Sequence, residues 1–232
     1  MTGKLYKEKL KLVDRSKLYS PTEALSLLKE LPGAKFDETL EIHVRLGIDP
    51  KQSDQQLRGT LSLPHGTGRS VRIAVVAGAD KQTEAKQAGA DHVGGEDLVE
   101  KMQSGWLDFD LVITTPDMMS KVGKLGKILG AKGLMPNPKS GTVTANIAEA
   151  VKEFKTGRTE YRNDKHGIIH LALGKKSFSV ENLKQNLDAV YDTLLKVKPS
   201  KSKGVYFRSI SLSSTMSPGV FLEPLKVKWK EA

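Results

Sequence analysis

Two rhythms of apolar and polar positions run along the chain, and the rhythm changes twice. "SPTEALSLLKEL" (20–31) sets Ser20, Pro21 and Glu23 ahead of Ala24, Leu27, Leu28 and Leu31. A serine cap, a proline in the first turn and a glutamate completing a capping box predict a helix with one apolar stripe. "ETLEIHVRLGID" alternates strictly, with Leu40, Ile42, Val44 and Leu46 on one side and Glu41, His43 and Arg45 on the other. That period of two predicts a strand with a single buried face. "QLRGTLSLPHGTG" predicts a shorter strand, closed by Pro64, Gly66 and Gly68 in a candidate linker.

From Ser70, continuous apolar runs replace the alternation. Buried strands are predicted at 71–78 and 110–115, with a short one in "DHVGG". Between and after them, "ADKQTEAKQAGA", "EDLVEKMQSG", "PDMMSKVGKLGKILG" and "NIAEAVKEFKTG" read as helices. Strand and helix at this spacing predict a parallel or mixed sheet covered by helices. After Gly157 the first rhythm returns. "TEYRND" and "HGIIHLALG" predict a hairpin turning at Asn163, Asp164 and Gly167, "SVENLKQNLDAVYDTLLKVK" the longest helix, capped by Ser179, and "GVYFRSISLSS" another strand. The expected fold class is α/β. Both chain ends (1–66 plus 158–232) build an α+β terminal domain, and a Rossmann-like three-layer α/β domain (67–157) is inserted into it. The two crossings would form a double-stranded hinge.

Charge sharpens that division. The chain of 232 residues carries a net charge of +10, with a pI near 9.6. Such a balance favours a polyanionic partner, because a basic surface concentrates phosphate and releases counterions. Residues 67–157 hold 12 Lys and Arg against 11 Asp and Glu, whereas the rest holds 25 against 16, so the excess belongs to the terminal-derived domain. The chain contains no cysteine, which excludes disulfides and thiolate metal sites. No apolar run approaches the roughly 20 residues of a membrane helix, so no membrane partner is expected. "MTGKLYKEKLKLVDRSKLY" lacks the apolar centre of a secretory signal, and the chain is expected to stay where it is made.

"GLMPNPKS" (133–140) has the outline of a phosphate-binding loop, but Pro138 stands where that loop needs glycine, and the preceding apolar run is helical. "VVAGADK" holds one glycine where a dinucleotide fingerprint needs three. His166 and His170 in "HGIIH" lack the glutamate and helical spacing of a zinc pair, and read as a turn histidine and a sheet-face histidine. His43, His65 and His92 stand alone, and Asp108 and Asp110 read as turn residues or caps. No catalytic set, cofactor or small-molecule substrate follows from these residues. RNA recognition needs basic groups, hydroxyls and a flat apolar surface. "AKFDET" (34–39), with Lys35, Phe36 and Thr39, and "SSTMSPG" (213–219) supply that mixture.

Five blocks carry a family resemblance: "AKFDETLEIHVRLGIDPKQSDQQLRGTLSLPHGTG", "AGADHVGGEDLVEKMQSGWLDFDLVITTPDMM", "VGKLGKILGAKGLMPNPKSGTV", "RNDKHGIIH" and "SSTMSPGV". In order and spacing, over nearly the full length, the chain resembles the bacterial-type large-subunit ribosomal protein L-one family. The resemblance implies a two-domain stalk protein that binds a stalk junction of large-subunit rRNA beside the tRNA exit site. It also implies a part in release of deacylated tRNA and repression of the operon's own mRNA. A dedicated mRNA repressor outside the ribosome, and a nucleotide-using enzyme built on the α/β middle, are the rival readings. The implied compartment is the bacterial cytoplasm, with a plastid or other organelle ribosome left open. Carried over by position, the RNA surface comprises Lys35, Phe36, Thr39, Arg162, Lys165, Ser209, Thr215, Met216 and Ser217. Lys121, Lys124, Lys127, Lys132 and Lys139, read along one exposed helix side and its following loop, are expected as secondary phosphate contacts. Two departures stand out. Ser217 replaces the family's usual glycine and is expected to cost roughly 1 kcal/mol or more if that backbone needs a positive φ or a close approach to ribose. Ala131 replaces a usual proline and should loosen its loop. The extension "EPLKVKWKEA" reads as a solvated tail that touches RNA.

Overall fold

A computed structural model of the chain describes residues 3–202 and 204–223. All of the C-terminal extension except Glu223 therefore lies outside the described residues. The elements in chain order are α1 (Lys4–Leu12), α2 (Pro21–Glu30), β1 (Thr39–Leu46), β2 (Arg58–Ser62), β3 (Ile73–Val76), α3 (Ala79–Gln87), β4 (His92–Gly94) and α4 (Glu96–Gln103). They continue with β5 (Leu111–Thr114), α5 (Met119–Gly123), α6 (Gly126–Ala131), α7 (Ile147–Thr156), β6 (Arg158–Arg162), β7 (Ile168–Lys175), α8 (Val180–Lys196), β8 (Phe207–Ser214) and β9 (Val220–Leu222). Mixed helices and strands in this order make an α/β protein. The chain divides into two compact units, 1–68 with 160–232, and 69–159.

In the unit built from both ends, a four-stranded sheet runs β7-β1-β8-β9, with β1 antiparallel to both neighbours. The alternation seen in β1 holds: Leu40, Ile42, Val44 and Leu46 are buried, while the intervening side chains are not. They pack with Ile169, Leu171, Leu173, Ile210 and Leu212 against α2 and α8. In α2 the capping box forms as the sequence predicts, Ser20 accepting from the Glu23 amide and Glu23 reaching back to the Ser20 amide. Its buried stripe takes in Leu25 with Ala24 and Leu28, leaving Leu27 partly buried. Ser179 caps α8 by accepting from Asn182 N–H (3.1 Å). At the end of β1 the chain needs glycine, since a Cβ on Gly47 would lie 2.2 Å from the Val205 carbonyl oxygen.

The predicted hairpin does not form. β7 pairs with β1, β6 pairs with β2, and a single bridge, Asn163 to Ile169, joins β6's end to β7. The reason is local: Asn163 Oδ1 accepts from Leu57 N–H (2.7 Å) and its own amide donates to the Leu57 carbonyl (3.1 Å). Those bonds hold the end of β6 to the β2 side, while Ile169, fully buried, commits β7 to the core beside β1. The turn itself is present, with Asp164 accepting from the amides of His166 and Ile168 (both 2.8 Å).

In the second unit, a parallel sheet β4-β3-β5 is buried on both faces. Ile73 and Val75 face α3 and α7; Ala74 and Val76 face α4, α5 and α6. This is the three-layer arrangement read from the continuous apolar runs. The helix predicted from Pro116 to Gly130 is broken. A 3-10 turn (Pro116–Met118) leads into α5, and the chain leaves helical geometry at Leu125 before α6 begins. Gly123 and Gly126 within four residues weaken helix continuation, while buried Leu125 fixes the break in the core. Ala131 closes α6 rather than lying in a loop. Neither α1 nor β9 is predicted from the sequence pattern.

Candidate nucleic-acid interface

The segment that enters β1 is organised around one carboxylate. Glu38 is 1% exposed. Its Oε1 accepts from Ala34 N–H (2.7 Å) and Lys9 Nζ (3.4 Å), and its Oε2 from Met216 N–H (3.1 Å) and the Ser214 hydroxyl. Burial pushes this carboxyl up, but the Ser214 hydroxyl, the two amides and the Lys9 ammonium outweigh it and hold the pKa at about 2. Glu38 thus ties the 34–39 segment to the 214–217 loop, 176 residues further on. Thr39 N–H donates to Thr215 Oγ1 (3.0 Å), Thr215 N–H donates to the Thr39 carbonyl (3.1 Å), and Lys175 Nζ donates to Thr39 Oγ1 (3.0 Å). With these polar groups satisfied, each segment still presents a large apolar side chain to solvent. Phe36 is 55% and Met216 53% exposed.

Ser217 causes no backbone strain: among the described residues positive φ is confined to glycine. Its hydroxyl accepts from Ser214 N–H (2.8 Å) and donates to the Pro218 carbonyl (3.0 Å), so the side chain helps shape the loop. The cost expected from a positive φ at this position therefore does not arise.

The sheet face away from the helices continues from this end. In register, Glu41 lies between Ala172 and Ser213, His43 between His170 and Ser211, and Arg45 between Ile168 and Ser209. The histidines, 127 residues apart in sequence, meet across strands, with Nδ1 to Nδ1 at 2.8 Å. His43 Nε2 lies 2.9 Å from the Ser213 hydroxyl, and His170 Nε2 lies 3.7 Å from Asp164. Between the two rings, and between His43 and Ser213, one nitrogen or hydroxyl must donate and the other accept. Burial, then the neighbouring His170, lowers the pKa of His43. Ser209 lies at the far end of this face, beside Arg45; exposed Arg162 and Lys165 flank the turn leading into β7 at that same end. From Thr39 to Arg45 is six residues of strand, or about 20 Å.

A family model described as "Ribosomal protein L1p/L10e family" matches residues 28–218. The chain belongs to this family. Membership makes it a structural, RNA-binding protein of the large ribosomal subunit that binds rRNA, with the ribosome as its place of work. Apart from Lys9, every residue named above at the β1 entry and on the open sheet face falls within the matched span. Sequence reasoning singled out the two ends of this L1-family sheet and read His170 as a sheet-face histidine, but did not join His43, Arg45, His170 and Ser211 to them as one surface. The available signal was the polar half of the β1 alternation. Its partners on β7 and β8 could not be chosen without the register.

In the inserted unit, Lys124, Lys127, Lys132 and Lys139 are exposed, while Lys121 is ion-paired with Glu96. The break at Leu125 means that these lysines do not continue along one helix. In the loop that resembles a phosphate cradle, Asn137 Oδ1 accepts from Lys139 N–H (2.8 Å), and the buried Ser140 and Thr142 hydroxyls bond to the Asn137 carbonyl (3.0 and 3.1 Å). These polar groups serve the loop itself. Asp108 and Asp110 are more than turn residues: both bind Arg72, and Asp110 also binds Arg69. His92 packs edge-on against Trp106, and His65 bonds to Gln185. Among the described residues no group of three or more His, Cys, Asp or Glu side chains is placed to hold a metal, and no helix is long and apolar enough to cross a membrane.

Proposed function

We propose that the unit made from both chain ends is the principal rRNA-binding domain, and that it grips the stalk junction of large-subunit rRNA at the end of its four-stranded sheet where β1 begins. The observation carrying this reading is the Thr39–Thr215 pair. Two segments far apart in sequence are locked edge to edge by backbone and hydroxyl bonds, so that Phe36 and Met216 stand out from a rigid, hydrogen-bonded base. Such a base suits the shallow minor groove of RNA, where hydroxyls and amides meet ribose and apolar side chains exclude water. Lys35 supplies a phosphate contact beside it, and Arg45, Arg162, Lys165 and Ser209 extend the surface to the far end of the sheet. The inserted unit contributes weaker, salt-sensitive contacts through Lys124, Lys127, Lys132 and Lys139, with Lys121 limited by its ion pair.

One surface of this kind accommodates any RNA that folds into the same junction. Repression of the chain's own operon mRNA would then be competitive with rRNA, and assistance to deacylated tRNA leaving the exit site would follow from anchoring the stalk. Thr215→Val is the direct test. Valine keeps the shape but removes the acceptor for Thr39 N–H and the hydroxyl offered to ribose. Affinity for a stalk-junction rRNA fragment at fixed salt should fall by about 1 to 3 kcal/mol, with the thermal unfolding midpoint nearly unchanged. Unchanged affinity would remove Thr215 from the surface.

A further inference from the structure

α1 is held to the protein in an unusual way. Its sequence, "KLYKEKLKL", exposes Leu5, Leu10 and Leu12, and its single buried residue is Lys9, 1% exposed. An isolated helix of nine residues is unstable in water and normally docks through an apolar stripe. Here the docking group is an ammonium. Lys9 Nζ lies 3.4 Å from Glu38 Oε1 and donates to the Met216 carbonyl at 3.0 Å. A buried ion pair seldom adds stability over a well-packed apolar side chain, so a lysine in such a place calls for another reason. The bond to Met216 supplies one. Glu38 takes the Met216 amide while Lys9 takes the Met216 carbonyl, so both backbone polar groups of that residue are clamped and its exposed side chain is fixed in direction. Lys9 lies outside the matched span of 28–218.

We infer that Lys9 is a positioning residue for RNA recognition: from a helix outside the family core, it holds the 214–217 loop in its binding geometry without touching RNA itself. The inference rests on the surface proposed above. It separates two properties that a phosphate-contacting lysine would join. Loss of Lys9 lowers affinity through a less ordered loop, whereas the number of counterions released on binding stays the same.

The test compares the full-length chain with Lys9→Met, Lys9→Met/Glu38→Gln and Thr215→Val, using a stalk-junction rRNA fragment over a series of salt concentrations. The double variant replaces the ion pair by a neutral pair, so it remains measurable if a lone buried Glu38 charge unfolds the single one. Both Lys9 variants should bind about tenfold more weakly, with an unaltered slope of log Kd against log salt and faster hydrogen exchange at the Met216 amide. Unchanged affinity in the folded Lys9 variants, with Thr215→Val weakened, would overturn the positioning role and leave the surface standing. A shallower salt slope would overturn it too, by making Lys9 a direct phosphate contact. If Thr215→Val also binds normally, the surface itself is wrong and the inference falls with it.

Discussion

Replacing Glu38 by glutamine isolates the electrostatic part of the loop clamp. The carboxylate is buried, accepts four hydrogen bonds and keeps a pKa of about 2 in place of 4.5. Each pH unit of displacement is worth ~1.4 kcal/mol, so the ionised form contributes about 3 kcal/mol to folding at neutral pH. Glutamine retains an acceptor but leaves the Lys9 ammonium without its counter-charge. Because the folded-state pKa is depressed, the contribution is fully present above about pH 4.5 and disappears as the pH falls toward 2. Urea unfolding of the wild-type chain and Glu38→Gln, measured from pH 7 down to 2, should therefore show a gap of about 3 kcal/mol that closes through the acid range. Other carboxylates titrate in both proteins and cancel from the difference. A gap that stayed constant from pH 7 to 2 would refute the reasoning, since it would trace the loss to shape and not to charge.

Further expectations concern other parts of the molecule. Gly47→Ala should destabilise the end-built unit by about 1 to 3 kcal/mol in chemical unfolding, because its Cβ meets the Val205 carbonyl and only a backbone shift relieves the contact. Lys127→Ala should change rRNA affinity little but flatten the salt dependence slightly, in contrast to Thr215→Val, which should leave the slope intact. His43 is held below the usual histidine pKa, first by burial and then by His170. Its neutral form is therefore favoured by folding, and the stability advantage of the wild type over His43→Gln should shrink as the pH drops below about 6.5.

Where the chemistry of a segment is local, the sequence was a sufficient guide. The Ser20–Glu23 capping box, the strict β1 alternation and the doubly buried β3 all depend on neighbours within a few residues, and each forms as read. The hairpin failed because Asn163 finds its partner in Leu57, more than a hundred residues away, and a turn signal cannot report which sheet its flanking strands will join. The long lysine helix failed because two glycines and a buried leucine outweigh its apolar periodicity. At the proposed interface, Phe36, Thr39, Thr215 and Met216 were legible in their local mixture and in the family pattern, but their mutual locking was not. Glu38 looked like one more charge before a strand and Lys9 like one more charge in a lysine-rich first segment. Their burial is a tertiary fact with no periodic signature. The His43–His170 contact was hidden in the same way, since it needs the β1–β7 register, including the irregularity between Leu40 and Glu41.

On the proposed reading, rRNA is held mainly by the end-built unit, at the end of the sheet where β1 begins. Backbone amide NMR on the full chain, titrated with a stalk-junction rRNA fragment, addresses this residue by residue. The largest shifts should fall at 35–39 and 209–217, extending toward 162–170, with small changes confined to the lysines around 124–139 in the inserted unit. Large shifts across 69–159 with none at Phe36, Thr39, Thr215 or Met216 would contradict it.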